Sequence, residues 1–140
     1  MTYSVNFANY TIGEDAYQNV REVCRHYGKK ALLIGGELAL KAGKEKLVQA
    51  LDSEIEIVDT VLFGTDCTYA RMEELAEHAK KCGADMIFGM GGGKALDTAK
   101  GTAEKAGLPV FTFPTIAATC AATTALSVVY KEDGNFDSFY

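Results

Sequence analysis

Tryptophan is absent, and basic residues never run longer than the pairs Lys29-Lys30 and Lys80-Lys81. A nucleic-acid surface needs clustered Lys and Arg to neutralise phosphates. The balance here is acidic, with 14 Lys+Arg against 19 Asp+Glu and a net charge of −5. No nucleic-acid partner is therefore expected, and each basic pair reads as a solvated helix end. No stretch approaches the roughly 18 apolar residues that a membrane helix needs. The segment Met1 to Tyr10 lacks the basic n-region and the apolar h-region of an export signal. These absences lead to the expectation of a cytoplasmic protein without a membrane partner. There is no C-x-x-C among Cys24, Cys67, Cys82 and Cys120. The four read as reduced thiols, in the core or near the surface, rather than as a disulfide framework.

What is present is a globular composition. Of 140 residues, 48% are hydrophobic and 24% charged, enough to bury a core in one domain over residues 1–140. No internal repeat, linker or low-complexity tract interrupts it. Apolar runs recur at Ala31 to Ile34, Ile55 to Phe63, Met86 to Phe88 and Val110 to Phe113. Such runs suit strands covered on both faces. Around and between them lie segments with apolar residues at helical spacing. The first is Ala16, Tyr17, Val20, Val23, Cys24 and Tyr27, and the second Leu40, Leu47, Val48 and Leu51. Met72, Leu75, Ala76 and Ala79 form the third, and Leu96, Ala99, Ala103 and Ala106 the fourth. Gly28, Gly83 and Gly107 are placed to stop three of these helices.

Strand and helix alternate, which implies right-handed crossovers and an α/β fold, a parallel sheet with helices on both faces. Ligands are then favoured beyond the carboxyl ends of the strands. The end of the chain breaks the rhythm. Leu126 to Tyr130 reads as a strand, Glu132 to Asn135 as a turn leading towards Phe136, so the last stretch is expected to be a hairpin. Closure on Phe139-Tyr140, with no polar tail, suggests a piece of a larger protein.

The most informative stretch runs from Gly89 to Lys100, a strand, glycine loop and helix start in sequence. Three successive glycines, Gly91, Gly92 and Gly93, let a backbone approach a ligand, and the free N–H groups of the following helix point at it. A phosphate or pyrophosphate fits that environment, with Lys94 adding a cation. G-x-G-x-x-G fails because Lys94 stands at its last glycine, and a P-loop fails because Ala95 follows Gly93-Lys94. A tight turn with close helix packing is the plainer alternative.

Gly91-Gly92-Gly93-Lys94-x-x-Asp97-x-x-Lys100 resembles the signature of the iron-containing alcohol dehydrogenase and glycerol dehydrogenase family. Tyr10-x-x-Gly13 is similar to the lead into that family's first helix. Phe113 to Thr119 and Ala125 to Tyr130 are similar to its glycerol dehydrogenase branch. The likeness spans nearly the whole chain. It implies the N-terminal, Rossmann-like nucleotide-binding domain of an enzyme that transfers hydride between a small alcohol or polyol and NAD or NADP. A helical C-terminal domain would carry the ligands of the divalent metal, zinc or iron. By resemblance Gly91, Gly92, Gly93 and Lys94 would lie against the pyrophosphate, and Asp97 would help fix the loop to its helix. Thr115, Ala118 and Thr119 would face the cofactor, with Thr124, Leu126 and Tyr130 near the nicotinamide end.

Two departures from the family pattern bear on specificity. Cys120 stands at the substrate position where glycerol dehydrogenases carry an aspartate, and Ala122 replaces a proline beside it. Glycerol is then no better placed than another small alcohol, polyol or aldehyde. Gly36 stands where NAD-preferring relatives often hold the ribose with an acid, with Glu37 next to it, so the cofactor is written NAD(P). Of possible ligand pairs, His26 with Cys24 and His78 with Cys82 are each too few for a metal, and both histidines read as structural. The chain alone is expected to bind nucleotide weakly or not at all and to turn over no alcohol. Two other readings stay open. One is a stand-alone module that binds a nucleotide or phosphorylated sugar at Gly91 to Lys94. The other is assembly with another chain, including a second copy, through the strand around Phe136 and Phe139.

Overall fold

A computed structural model describes residues 9–140. The four apolar runs become the parallel strands β1 (Lys30–Gly35), β2 (Glu56–Leu62), β3 (Met86–Gly91) and β4 (Val110–Pro114). They lie in the order β2-β1-β3-β4. Between them run α2 (Glu37–Leu51), α3 (Tyr69–Lys81) and α4 (Gly93–Ala106), preceded by the short α1 (Val20–Cys24). The expected α/β fold with a parallel sheet is what forms, and it is Rossmann-like.

Strand alternation divides the core between the two faces. Ala31, Leu33, Met86, Phe88 and Met90 meet Cys24 of α1 and Leu47 and Leu51 of α2. Leu32, Ile34 and Ile87 meet Leu75 and Ala79 of α3 and Ala99 and Ala103 of α4. Both faces of the central strands are thus covered, which is why β1 and β3 read as unbroken apolar runs.

The strand order also fixes where a ligand can sit. From β1 to β2 the chain steps one way, and from β2 through β3 to β4 it steps the other. Right-handed crossovers then place α2 on one face and α3 and α4 on the opposite one. Direction reverses between β1 and β3, whose carboxyl ends part into Gly36 and Gly92, and a crevice opens there. Close packing holds α4 in place below it: a Cβ on Gly89 would lie 2.6 Å from the Cβ of Ala99.

Three local expectations need correction. The Ala16 to Tyr27 pattern yields a 3-10 turn over Ala16–Asn19 and only five residues of α-helix, and Val23 and Tyr27 are exposed. Gly28 caps no helix. It passes against Asp85, whose carboxylate accepts the N–H groups of Lys29 and Lys30 at 2.9 and 3.0 Å. Val48 lies on the outer side of α2, 47% exposed. Gly107, in contrast, is the left-handed cap of α4 at φ 69°. The terminal stretch is the expected antiparallel hairpin, β5 (Val128–Tyr130) with β6 (Phe136–Phe139). It docks through Val129, fully buried beside Cys67 and Met72.

Candidate functional site

A cleft of about 450 Å³ opens between the parting ends of β1 and β3, lined by Gly36, Phe63, Gly91, Gly92, Gly93, Lys94 and Thr115 among others. Helices α2 and α4 both begin at it, and both begin on glycine: Gly36 and Gly92 are their first caps, with no side-chain hydrogen bond to either helix start. At α3, away from this cleft, the Thr68 hydroxyl accepts the Arg71 N–H at 3.2 Å. The first-turn N–H groups of α2 and α4 are therefore open to an acceptor, and two helix dipoles bring positive ends to the same crevice.

The glycines are sterically required here in different degrees. Gly91 has φ +150°, and a Cβ on it would lie 2.9 Å from the Cβ of Ala95. At Gly93 the added carbon would reach 3.2 Å from the Thr119 hydroxyl oxygen, which places Thr119 over the same turn. Gly36 has room, with only the Phe63 ring 3.6 Å away. Its N–H is bound to the Met90 carbonyl at 3.2 Å, which ties the two strand ends together.

Lys94 reaches the mouth of the cleft but is engaged there. Its ammonium bonds the Asp66 carboxylate and lies 4.9 Å from the centre of the Tyr130 ring. The Asp66 hydrogen bond keeps the ammonium charged above its ordinary range. The loop that Asp97 fixes is not the glycine turn but the stretch leading into β5. Its carboxylate accepts the Val128 N–H at 3.1 Å and pairs with Lys100 at 2.8 Å. Lys100 in turn donates to the carbonyls of Thr124 and Leu126. Thr124 and Leu126 thus meet α4 through Lys100 and do not line the cleft, while Tyr130 borders it through Lys94. Ala118 and Cys120 are exposed in the loop after β4.

Sequence reasoning missed Asp66 and Phe63. The signal for both was topological: they follow β2, and loops at the carboxyl ends of neighbouring parallel strands converge. A larger hollow, about 640 Å³, lies at the amino ends of β1 and β2 among Arg25, His26, Lys29, Ser53 and Glu54. The crevice rule favours the glycine cleft. His78 bonds Asp59 at 2.7 Å rather than Cys82. Among the described residues no three His, Cys, Asp or Glu side chains gather to hold a metal.

A family model for iron-containing alcohol dehydrogenases matches residues 8–139. The chain belongs to that family. Within it, glycerol dehydrogenase of Pseudomonas putida is 35% identical over 130 residues, which are 93% of this chain and 36% of that protein. Glycolaldehyde reductase of Halobacterium salinarum is 32% identical over 133 residues, 95% of this chain and 36% of that protein. The crystal structure of a probable glycerol dehydrogenase from Sinorhizobium meliloti superposes with a TM-score of 0.81 at 26% identity, over 99% of this chain and 38% of that one. The chain spans little more than a third of the length of the curated relatives it matches.

Proposed function

We propose that residues 1–140 are the nucleotide-binding domain of an NAD(P)-dependent, metal-dependent alcohol or polyol dehydrogenase. The observation that carries this is the pair of glycine-started helices, α2 and α4, opening on one crevice with no side-chain acceptor at either start. A pyrophosphate satisfies those N–H groups, and the missing side chains let it approach the main chain. Lys94, Thr115 and Thr119 border the same turn and supply a cation and two hydroxyls. Asp97 and Lys100 act one step back, by holding the 124–128 segment against α4.

Hydride transfer between an alcohol carbon and the nicotinamide ring is the chemistry such a cofactor supplies when bound. A metal would take its ligands from outside the described residues, among which no three His, Cys, Asp or Glu side chains gather. The relatives' names cover glycerol and glycolaldehyde, and Cys120 in place of an acceptor carboxylate leaves a small alcohol, polyol or aldehyde as the substrate class.

The test is thermal and calorimetric titration of the chain with NAD, NADP, ADP-ribose and adenosine at up to millimolar concentration. A ligand at only ten times its Kd stabilises a protein by about 1.4 kcal/mol, so weak binding by the chain alone still registers. The pyrophosphate-bearing ligands should raise the Tm and adenosine should do little. A Tm unmoved by all of them, or a rise no larger with the pyrophosphate-bearing ligands than with adenosine, would sink the reading.

A further inference from the structure

Among the described residues the charged side chains lining the cleft are Lys94 and Glu37, and the Lys94 ammonium already has an anionic partner in Asp66. Counted together, Lys94, Glu37 and Asp66 carry a net charge of 1 − 2 = −1. The attraction for an anion therefore comes from the open N–H groups of α2 and α4, not from a surplus of basic side chains. Lys94 is 49% and Asp66 22% exposed at the side chain, so water reaches the pair from the lysine side and screens it. Asp66 sits in the turn between β2 and α3, outside any helix or strand. The Tyr130 ring beneath the ammonium gives Lys94 a second contact that remains when the carboxylate leaves.

We propose that Asp66 sets the affinity of this cleft for pyrophosphate by competing for the Lys94 ammonium, so that binding exchanges a carboxylate oxygen for a phosphoryl oxygen. The inference rests on the nucleotide reading of the cleft. Asp66 is a positioning residue: it touches Lys94 and draws the ammonium away from an incoming anion. The opposite role, in which Asp66 holds Lys94 ready and strengthens binding, makes the contrary prediction.

The experiment is calorimetry of the whole chain with ADP-ribose and with adenosine, for the native protein, Asp66→Asn, Asp66→Glu, Lys94→Met and the Asp66→Asn/Lys94→Met double variant, with the Tm of each as a folding control. Freeing the Lys94 ammonium from a partly exposed ion pair is worth on the order of fivefold in Kd. Asp66→Asn should bind ADP-ribose about that much tighter, less so at high salt, with adenosine unaffected. Asp66→Glu should keep the native affinity, and the gain should vanish in the Lys94→Met background. Equal or weaker binding of ADP-ribose by Asp66→Asn, or a gain that survives Lys94→Met, would overturn the exchange while leaving the nucleotide site standing. Binding of ADP-ribose by none of the proteins would remove the site itself and this proposal with it.

Discussion

Asp97 and Lys100, one turn apart in α4, form an ion pair at 2.8 Å with side chains 9% and 8% exposed. Each also reaches the same neighbouring segment, Asp97 through the Val128 N–H and Lys100 through the carbonyls of Thr124 and Leu126. Truncating one partner of such a pair strands the other charge in the interior, which costs about 3–5 kcal/mol. Asp97→Ala should lose stability of that order in urea unfolding and should expose the 124–128 stretch to proteolysis. A loss under about 1 kcal/mol would mean that water reaches Lys100 and that the pair is no lock.

How far the sequence carried this site depended on the distance between partners. The glycines, Lys94 and the alternation of strand and helix were legible because they lie in one short stretch with a fixed period. Lys94 with Asp66 and His78 with Asp59 join residues 28 and 19 apart, and no spacing rule links them. The pattern from Ala16 to Tyr27 correctly put Tyr17, Val20 and Cys24 against the core. Apolar spacing records which side is buried, however, and it could not tell a 3-10 turn and a five-residue helix from one long helix. Gly89 lies past the apolar run Met86 to Phe88 and carries no side chain to mark it, yet it is a strand residue that lets α4 approach β3.

Gly36 offers a separation of stability from binding. Its φ of −82° and ψ of 150° are those of an ordinary helix cap, and a side chain has room there. Asp is a better cap than Gly and also meets the positive end of α2, together about 0.5–1 kcal/mol. Gly36→Asp should therefore raise the Tm of the free chain. The same carboxylate occupies N–H groups that a ligand would use and repels a 2′-phosphate, so the ratio of NADP to NAD affinity should fall. A Tm gain with an unchanged ratio would show that the ribose lies elsewhere.

Asp59 is held below the usual carboxylate range, first by its hydrogen bond with His78 and then by the Thr60 N–H. A carboxyl with a depressed folded pKa contributes stability above its unfolded value, about 3.9, and loses it as the pH falls through the folded value. Both partners are substantially exposed, so the effect is small. Urea midpoints between neutral pH and pH 2.5 should fall more steeply for the native chain than for Asp59→Asn, with the curves converging at the acid end. Parallel curves would remove Asp59 from the acid response.

The four free thiols sort by burial. Cys24 and Cys67 are buried, and desolvation pushes their pKa values up to about 12 and about 11. The thiolate is the reacting form, so neither should titrate with a disulfide reagent at pH 8 while the chain is folded. Cys120 is exposed and Cys82 half-buried. A fast phase should therefore belong to Cys120 and disappear in Cys120→Ser, a slower one should belong to Cys82, and the last two thiols should appear only in denaturant. Because Cys120 follows Thr119, whose hydroxyl lies over Gly93, NAD bound in the cleft should slow the fast phase and leave the Cys82 phase unchanged. Equal slowing of both would point to global stabilisation instead of a ligand beside the loop after β4.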